Sequence, residues 1–408
     1  MTSVPLKHLV DSRRPITYGI VQAGPNTPGG VPYIRPTDMT PTAGVVDPEN
    51  LMRTTPDIAV AYKRSQLLPG DVVLSIGPSY GKVMIVPPAL SGANLTQGTA
   101  RIAPAPDVLN RFLYWALQSR IALDYWDMAV AGATFRALNL GPLAETPMPA
   151  PPLEEQQRIA DLLDDQVAQL DKAIELRNRQ AELLKARATT YAESILRPSA
   201  NFAEVPARHL VQEVAVGIVI QPAALYTHTD EGVPAVRGTD ISPGHINREN
   251  LVRISTEGHS ANPRSKLRPG DVLVVRSGRA GAACRVPHWL VGGNCIDVVI
   301  VRPGPTVDSG YLEHSINSPR AQEAISEHST GAIQRHFGVE QMRALPMLQR
   351  PLAEQVAIAA ELDRSRQEYE RGLKLMSSSK EKLVERKQAL ITAAVTGQFD
   401  VTTARAVA

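Results

Sequence analysis

Pro152-Leu153-Glu154-Glu155-Gln156-Gln157-Arg158-Ile159-Ala160 decides the fold because it occurs twice: Pro351-Leu352-Ala353-Glu354-Gln355 repeats its opening about 200 residues on. A proline in the first helical turn loses no hydrogen bond, and acidic residues there suit the positive end of the helix dipole. Each copy therefore predicts a helix start. The first runs without Gly or Pro until Pro198. Within it Leu170, Ile174, Arg177, Ala181, Leu184, Ala188, Tyr191 and Ile195 follow strict 4-3 spacing. The second keeps the same alternation through Ala359, Leu362, Arg366, Tyr369, Leu373, Met376, Lys380, Leu383, Lys387, Leu390 and Ala394, and Gly397 supplies a stop. A seam held over three or more heptads predicts coiled-coil pairing. About 44 residues at 1.5 Å each make a rod of roughly 65 Å.

Working outward, the helix starts prove to be the ends of a longer duplication. Gly30-Val31-Pro32 returns as Gly232-Val233-Pro234, and Arg35 and Asp38 as Arg237 and Asp240. Glu49-Asn50-Leu51 returns as Glu249-Asn250-Leu251, and Pro69-Gly70-Asp71-Val72 as Pro269-Gly270-Asp271-Val272. Gly132-Ala133 and Arg136 match Gly331-Ala332 and Arg335. One offset and one order mean two copies of a unit, each a mixed domain followed by a helix.

The mixed parts are rich in turns. Pro69-Gly70 fill the centre of a turn, and Val72-Val73-Leu74 follow as a strand, with Leu273-Val274-Val275 its repeat. Val83 to Val86 and Val298 to Val301 are further strands, and Leu109 to Asp124 and Tyr311 to Glu327 are helix candidates. The expected fold is α+β (mixed α/β). It comprises a first mixed domain over 1–151, a helix over 152–197, a second mixed domain over 198–350, a helix over 351–397 and a tail over 398–408.

Composition excludes several classes. With 43 basic and 41 acidic residues the chain is no uniformly basic nucleic-acid coat. Two cysteines, Cys284 and Cys295, can build neither a disulfide framework nor a four-ligand zinc site, which fits a reducing, cytoplasmic compartment. No apolar run approaches a membrane span, and Met1 to Arg14 lacks the apolar core of a signal peptide. Gly77 to Lys82 has one residue too few between its glycines for a phosphate loop, and Val83 stands where Ser or Thr is needed. No Asn-Pro-Pro or Asp-Pro-Pro precedes an aromatic residue, so the signature of amine methylation is missing. His228, His245, His259, His288, His314, His328 and His336 lack metal-ligand spacing. No catalytic or metal constellation is predicted.

This order of domain, rod, domain and rod resembles the specificity subunit of type I restriction–modification systems. The helix starts carry the resemblance, together with Leu68-Pro69-Gly70-Asp71-Val72-Val73-Leu74, Gly81-Lys82, and Leu390-Ile391-Thr392-Ala393-Ala394-Val395-Thr396-Gly397-Gln398. Leu6 to Arg14 stands where such subunits commonly have a Trp-containing strand. The resemblance implies a non-catalytic reader of double-stranded DNA. Each domain would read one half of a bipartite target, and an antiparallel coiled coil would set the spacing between halves. Two methylase subunits would dock on it, and motor-nuclease restriction subunits would join them. S-adenosylmethionine, ATP and magnesium would belong to those partners, with no cofactor in this chain. Base readers use Arg, Lys, Asn, Gln and Ser from loops and helix ends. The candidates are Arg35, Ser79, Tyr80, Lys82 and Arg136, then Arg237, Arg276, Ser277, Arg279, Arg335 and His336. Methylase contacts are expected at Glu154, Gln157, Arg158 and Glu354. The competing expectation is a coiled-coil scaffold that does not bind DNA.

Overall fold

The computed structural model describes residues 2–40, 45, 47, 49–77, 79–131, 136–198, 202–227, 229, 231–327 and 336–399. Arg335, His228, His328, the Gly132-Ala133 and Gly331-Ala332 pairs and the tail beyond Phe399 lie outside these. The chain forms two units. One is Met1–Asn178 with Ser377–Ala408, and the other is Arg179–Met376.

In the first unit an antiparallel sheet runs in the order Thr17–Tyr18, Thr99–Ile102, Val72–Ser75, Val83–Ile85. A second sheet has Val31–Ile34 at its centre, antiparallel to Arg53–Thr54 and parallel to Asn94–Leu95. Ser3–Pro5 pairs with Pro147–Pro149. The second unit repeats this plan. Its main sheet runs Val211–Val216, Val298–Pro303, Val272–Val275, Ala283–Arg285. Val233–Arg237 is again antiparallel to one neighbour, Val252–Ile254, and parallel to another, Asn294–Ile296. Glu204–Pro206 pairs with Pro346–Leu348.

The repeated Pro-Gly-Asp explains its own retention. Gly70 and Gly270 take φ of +89° and +82°, which only glycine adopts without strain at the third position of such a turn. The aspartate then closes the turn from inside: Asp71 Oδ2 accepts from Leu68 N at 2.8 Å, and Asp271 Oδ2 from Arg268 N at 2.8 Å. The strands that follow are fully buried, Val72 to Ser75 and Val272 to Val275 alike.

The long helices are Leu153–Leu196 and Leu352–Thr396. Gly397, at φ +72°, ends the second. They pack against each other in opposite directions within each unit. In the first, Lys387 Nζ bonds Asp171 at 2.7 Å, and Ile391, Ala394 and Val395 join Ile159, Leu163 and Val167 in one core. In the second, Tyr191 donates to Glu361, Gly372 lies against Leu184, and Ile195 and Leu196 pack beside Ile358 and Leu362. The 4-3 seam is the half-buried stripe at Leu170, Ile174, Ala181, Leu184, Ala188 and Ile195. Its polar members behave differently. Arg177 and Lys380 lie on the exposed side of the seam; Lys387 pairs with Asp171, and Arg366 turns to Glu313 and Asp363.

Two expected helices are each broken in two. Leu109 to Asp124 is Asn110–Ala116 followed by Arg120–Ala129, because Ser119 takes an extended conformation (φ −72°, ψ 156°) and spends its hydroxyl on Ala116 O at 2.7 Å. Tyr311 to Glu327 is Ser309–Ile316 followed by Pro319–Glu327. Pro319 has no N–H to continue the first helix and starts the second.

Candidate nucleic-acid interface

The turn after each buried central strand sits at the same place in both units. Gly81 N bonds Ser75 O at 3.1 Å, and Gly281 N bonds Val275 O at 2.9 Å. A returning segment then docks on the residue after the strand: Leu138 N on Ile76 O at 2.9 Å, Phe337 N on Arg276 O at 2.8 Å. The backbone is thus duplicated, while the side chains it presents are not.

In the second unit this arrangement brings Arg276, Ser277 and His336 together. Arg276 Nη1 donates to Asp297 Oδ1 at 2.5 Å, and Arg276 Nη2 donates to His336 Nε2. A guanidinium can only donate, so Nε2 accepts, and His336 Nδ1–H is left to donate to Ser277 Oγ at 3.1 Å. Arg279 is exposed on the same turn. In the first unit Ser79 is exposed, and Tyr80 donates its hydroxyl to Asp127. Burial, the Asp127 hydrogen bond and its charge raise the Tyr80 phenol, while the nearby Arg136 cation opposes them. Tyr80, Asp127 and Arg136 therefore form one exposed-edge cluster. Ile76 and Ala137 stand where the second unit has Arg276 and His336.

Three other candidates make contacts within their own units. Lys82 Nζ donates to Pro36 O at 3.0 Å and Met39 O at 2.9 Å. Arg35 grips Asp38 through Nε at 3.0 Å and Nη2 at 2.7 Å. Arg237 grips Asp240 likewise and adds Asn250 O at 2.9 Å. The hydrogen bonds to those aspartates raise both guanidinium pKa values. A fork held in this way is fixed in orientation, and its Nη1 donors are not used by the aspartate.

At the helix starts Glu154 pairs with Arg158 at 2.9 Å, and Gln157 bonds Asp161 at 2.9 Å, all on an exposed face. Glu354 accepts from Arg350. Gln156 and Gln355, whose roles their spacing does not announce, are 3% and 1% exposed and perform the same task. Gln156 Oε1 accepts from Leu109 N at 2.8 Å, and its amide donates to Asp107 O and Pro151 O. Gln355 Oε1 accepts from Asp308 N at 2.9 Å, and its amide donates to Thr306 O and Arg350 O. The duplicated glutamine fastens each long helix to its own domain.

Asp297 was absent from the candidates. Its signal in the sequence was contrast: Leu95-Thr96-Gln97 in one copy stands against Cys295-Ile296-Asp297 in the other. Cys284 and Cys295 are free and buried, and burial pushes the Cys284 thiol up to about 12, as suits packed core thiols. Among the described residues no group of His, Cys, Asp or Glu could hold a metal, and no helix is long and apolar enough to cross a membrane.

The comparisons with known proteins agree on similarity to type I restriction–modification specificity proteins. The family model for the type I restriction modification DNA specificity domain matches residues 20–186. The specificity subunit of the type I restriction enzyme EcoBI of Escherichia coli is 29% identical over 192 residues, 47% of this chain and 39% of that one. The MjaIX specificity subunit of Methanocaldococcus jannaschii is 28% identical over 158 residues, 38% of this chain and 35% of that one. The matched stretches thus span less than two fifths of these relatives. A solved chain from a type I R-M system, described for its complex assembly and conformational transition, shares the fold with a TM-score of 0.77 over 98% of both chains at 19% identity. The HsdS subunit from Thermoanaerobacter tengcongensis gives 0.53 over 98% of this chain and 97% of that one at 18% identity. Residues 20–186 are thus similar to the type I restriction modification DNA specificity domain, and the chain as a whole shares the fold of these solved chains.

Proposed function

We propose that this chain selects the DNA sequence on which a type I restriction–modification complex acts. Each unit reads one half of a bipartite site in double-stranded DNA, and the paired helices fix the unread spacing between the halves. The observation that carries this is a duplicated backbone presenting different polar side chains at one place: Ser79 and Tyr80 in one unit, Arg276, Ser277, Arg279 and His336 in the other. A frame that is kept while its exposed groups diverge is what reading two different half-sites requires. A scaffold that binds no DNA would have no use for it.

Two methylase subunits dock at the helix starts, through Glu154, Gln157 and Arg158 and through the equivalent face around Glu354. The chain contributes no catalysis. S-adenosylmethionine acts in the methylase, ATP and magnesium in the motor-nuclease, and the complex works in the cytoplasm. Modest net charge is compatible with this, because partner subunits supply phosphate contacts. The test is to express the chain with its methylase and sequence the modified genome. A single bipartite motif with a fixed spacer is expected. Methylation without sequence preference, or DNA retention that does not depend on this chain, would refute the proposal.

A further inference from the structure

Residues 97 and 297 occupy one place in the two units. Each follows the strand headed by a buried asparagine, Asn94–Leu95 or Asn294–Ile296. Each backbone N–H donates to the carbonyl of a bridged isoleucine: Gln97 to Ile20 and Asp297 to Ile218, both at 3.0 Å. Both side chains are exposed. There the likeness stops. Asp297 takes φ +50°, and Gln97 is not among the positive-φ residues. The left-handed region is unfavourable for a side-chain-bearing residue, least so for Asn and Asp. An outlier of this kind is held where the surroundings fix it.

The Asp297 carboxylate is held by the Arg276 guanidinium, 2.5 Å from Oδ1, itself backed by His336. Oδ2 takes no hydrogen bond from any described residue. A bare carboxylate aimed at DNA is repelled by the phosphates, and the Arg276 cation neutralises that charge while leaving one acceptor open. An ionised carboxylate only accepts. It therefore has nothing to offer the major-groove acceptors of guanine or the O4 of thymine. It suits an exocyclic amine, and adenine places its N7 acceptor beside N6, whereas cytosine has only a C–H beside N4.

We propose that Asp297 is a specificity-determining residue that accepts a hydrogen bond from the N4 amine of one cytosine in the second half-site, with Arg276 and His336 as its positioning residues. This rests on the DNA-specificity reading above. The test measures binding of the assembled chain and methylase to duplexes in which each base pair of the second half-site is replaced in turn. One further duplex carries N4-methylcytosine at the implicated position, where the methyl replaces the groove-facing hydrogen and base pairing survives. Wild type should prefer cytosine at one position by roughly 5- to 150-fold and reject the methylated base. Asp297→Ala should lose both effects at that position alone and keep the first half-site. Asp297→Asn, which tolerates the same backbone and adds an amine donor, should move the preference towards adenine, and it decides the matter if the alanine variant does not fold. Cytosine preference retained in Asp297→Asn, or preferences weakened equally at every position, would overturn the role of Asp297 while leaving DNA specificity intact. A wild-type complex indifferent to every replacement would overturn both.

Discussion

The buried glutamine at each helix start permits a quantitative test of what holds the long helices on. In Gln355→Ala three bonds disappear: the one accepted from Asp308 N at 2.9 Å and those given to Thr306 O at 2.9 Å and Arg350 O at 2.8 Å. The site is 1% exposed, so water does not freely replace them. A buried polar group left unmatched costs about 1–3 kcal/mol, and carbonyls tolerate it better than an N–H. The expected loss is therefore roughly 2–4 kcal/mol, or on the order of 5–15 °C in the melting of a unit of this size. The neighbouring Glu354→Ala removes only a part-exposed pair with Arg350 and should cost about 0–1 kcal/mol. Gln355→Glu should be worse than alanine near pH 7, since a carboxylate oxygen would face two carbonyls, and should recover as acid protonates it. Calorimetry of the whole chain resolves these losses, and the amide of Asp308 should exchange faster in both glutamine variants. A loss under about 0.5 kcal/mol in Gln355→Ala, or equal losses for Gln355 and Glu354, would refute the fastening role.

Burial alone would raise the Asp363 carboxyl, but hydrogen bonds from His314 and Arg285 and the charges of Arg285 and Arg366 outweigh it and hold it well below its usual range. Its stabilisation is thus present above the unfolded carboxyl pKa, near 4, and fades as pH falls below it, so the stability gap between wild type and Asp363→Asn should narrow in urea melts taken at successively lower pH. One heptad inserted into both helices, after Asn178 and after Met376, adds about 10.5 Å of rise, close to three base pairs. The sequenced methylome should then keep both half-sites and lengthen the spacer, and a fixed spacer with altered half-sites would contradict the spacing role. Gln97→Ala should relax one adenine-containing position of the first half-site, as carboxamides pair with adenine, and leave the second half-site as it was.

The duplication, the rods and the turns were legible because each rests on local chemistry that leaves a mark. Pro-Gly-Asp needs glycine at positive φ and an aspartate to close the turn, and the seam needs apolar residues at a helical period. The breaks at Ser119 and Pro319 were missed because apolar spacing continued across them, while backbone geometry, not burial, ended each helix. The roles of the polar residues were harder still. Lys82, Arg35 and Arg237 have the residue types of DNA readers, but part of their donor set is engaged by backbone carbonyls and by Asp38 and Asp240. Residue type gives the donors a side chain owns. Only the fold gives the acceptors already using them.

The duplication itself offers a way to separate frame from reader. Where the two copies agree, the shared residue supports backbone: Gln156 and Gln355 at the helix starts, Asp71 and Asp271 in the turns, Asn94 and Asn294 under the parallel strands. Where they disagree at one place on that backbone, the second unit brings Arg276, Asp297 and His336 together, while the first has Ile76, Gln97 and Ala137 at those positions, with Gln97 exposed. A buried hydrogen bond to the main chain admits few substitutes, since any other side chain leaves a polar group unmatched. An exposed group aimed away from the frame carries no such penalty. It is free to follow whatever base its half-site presents, so one fold can hold two specificities at little cost to its stability.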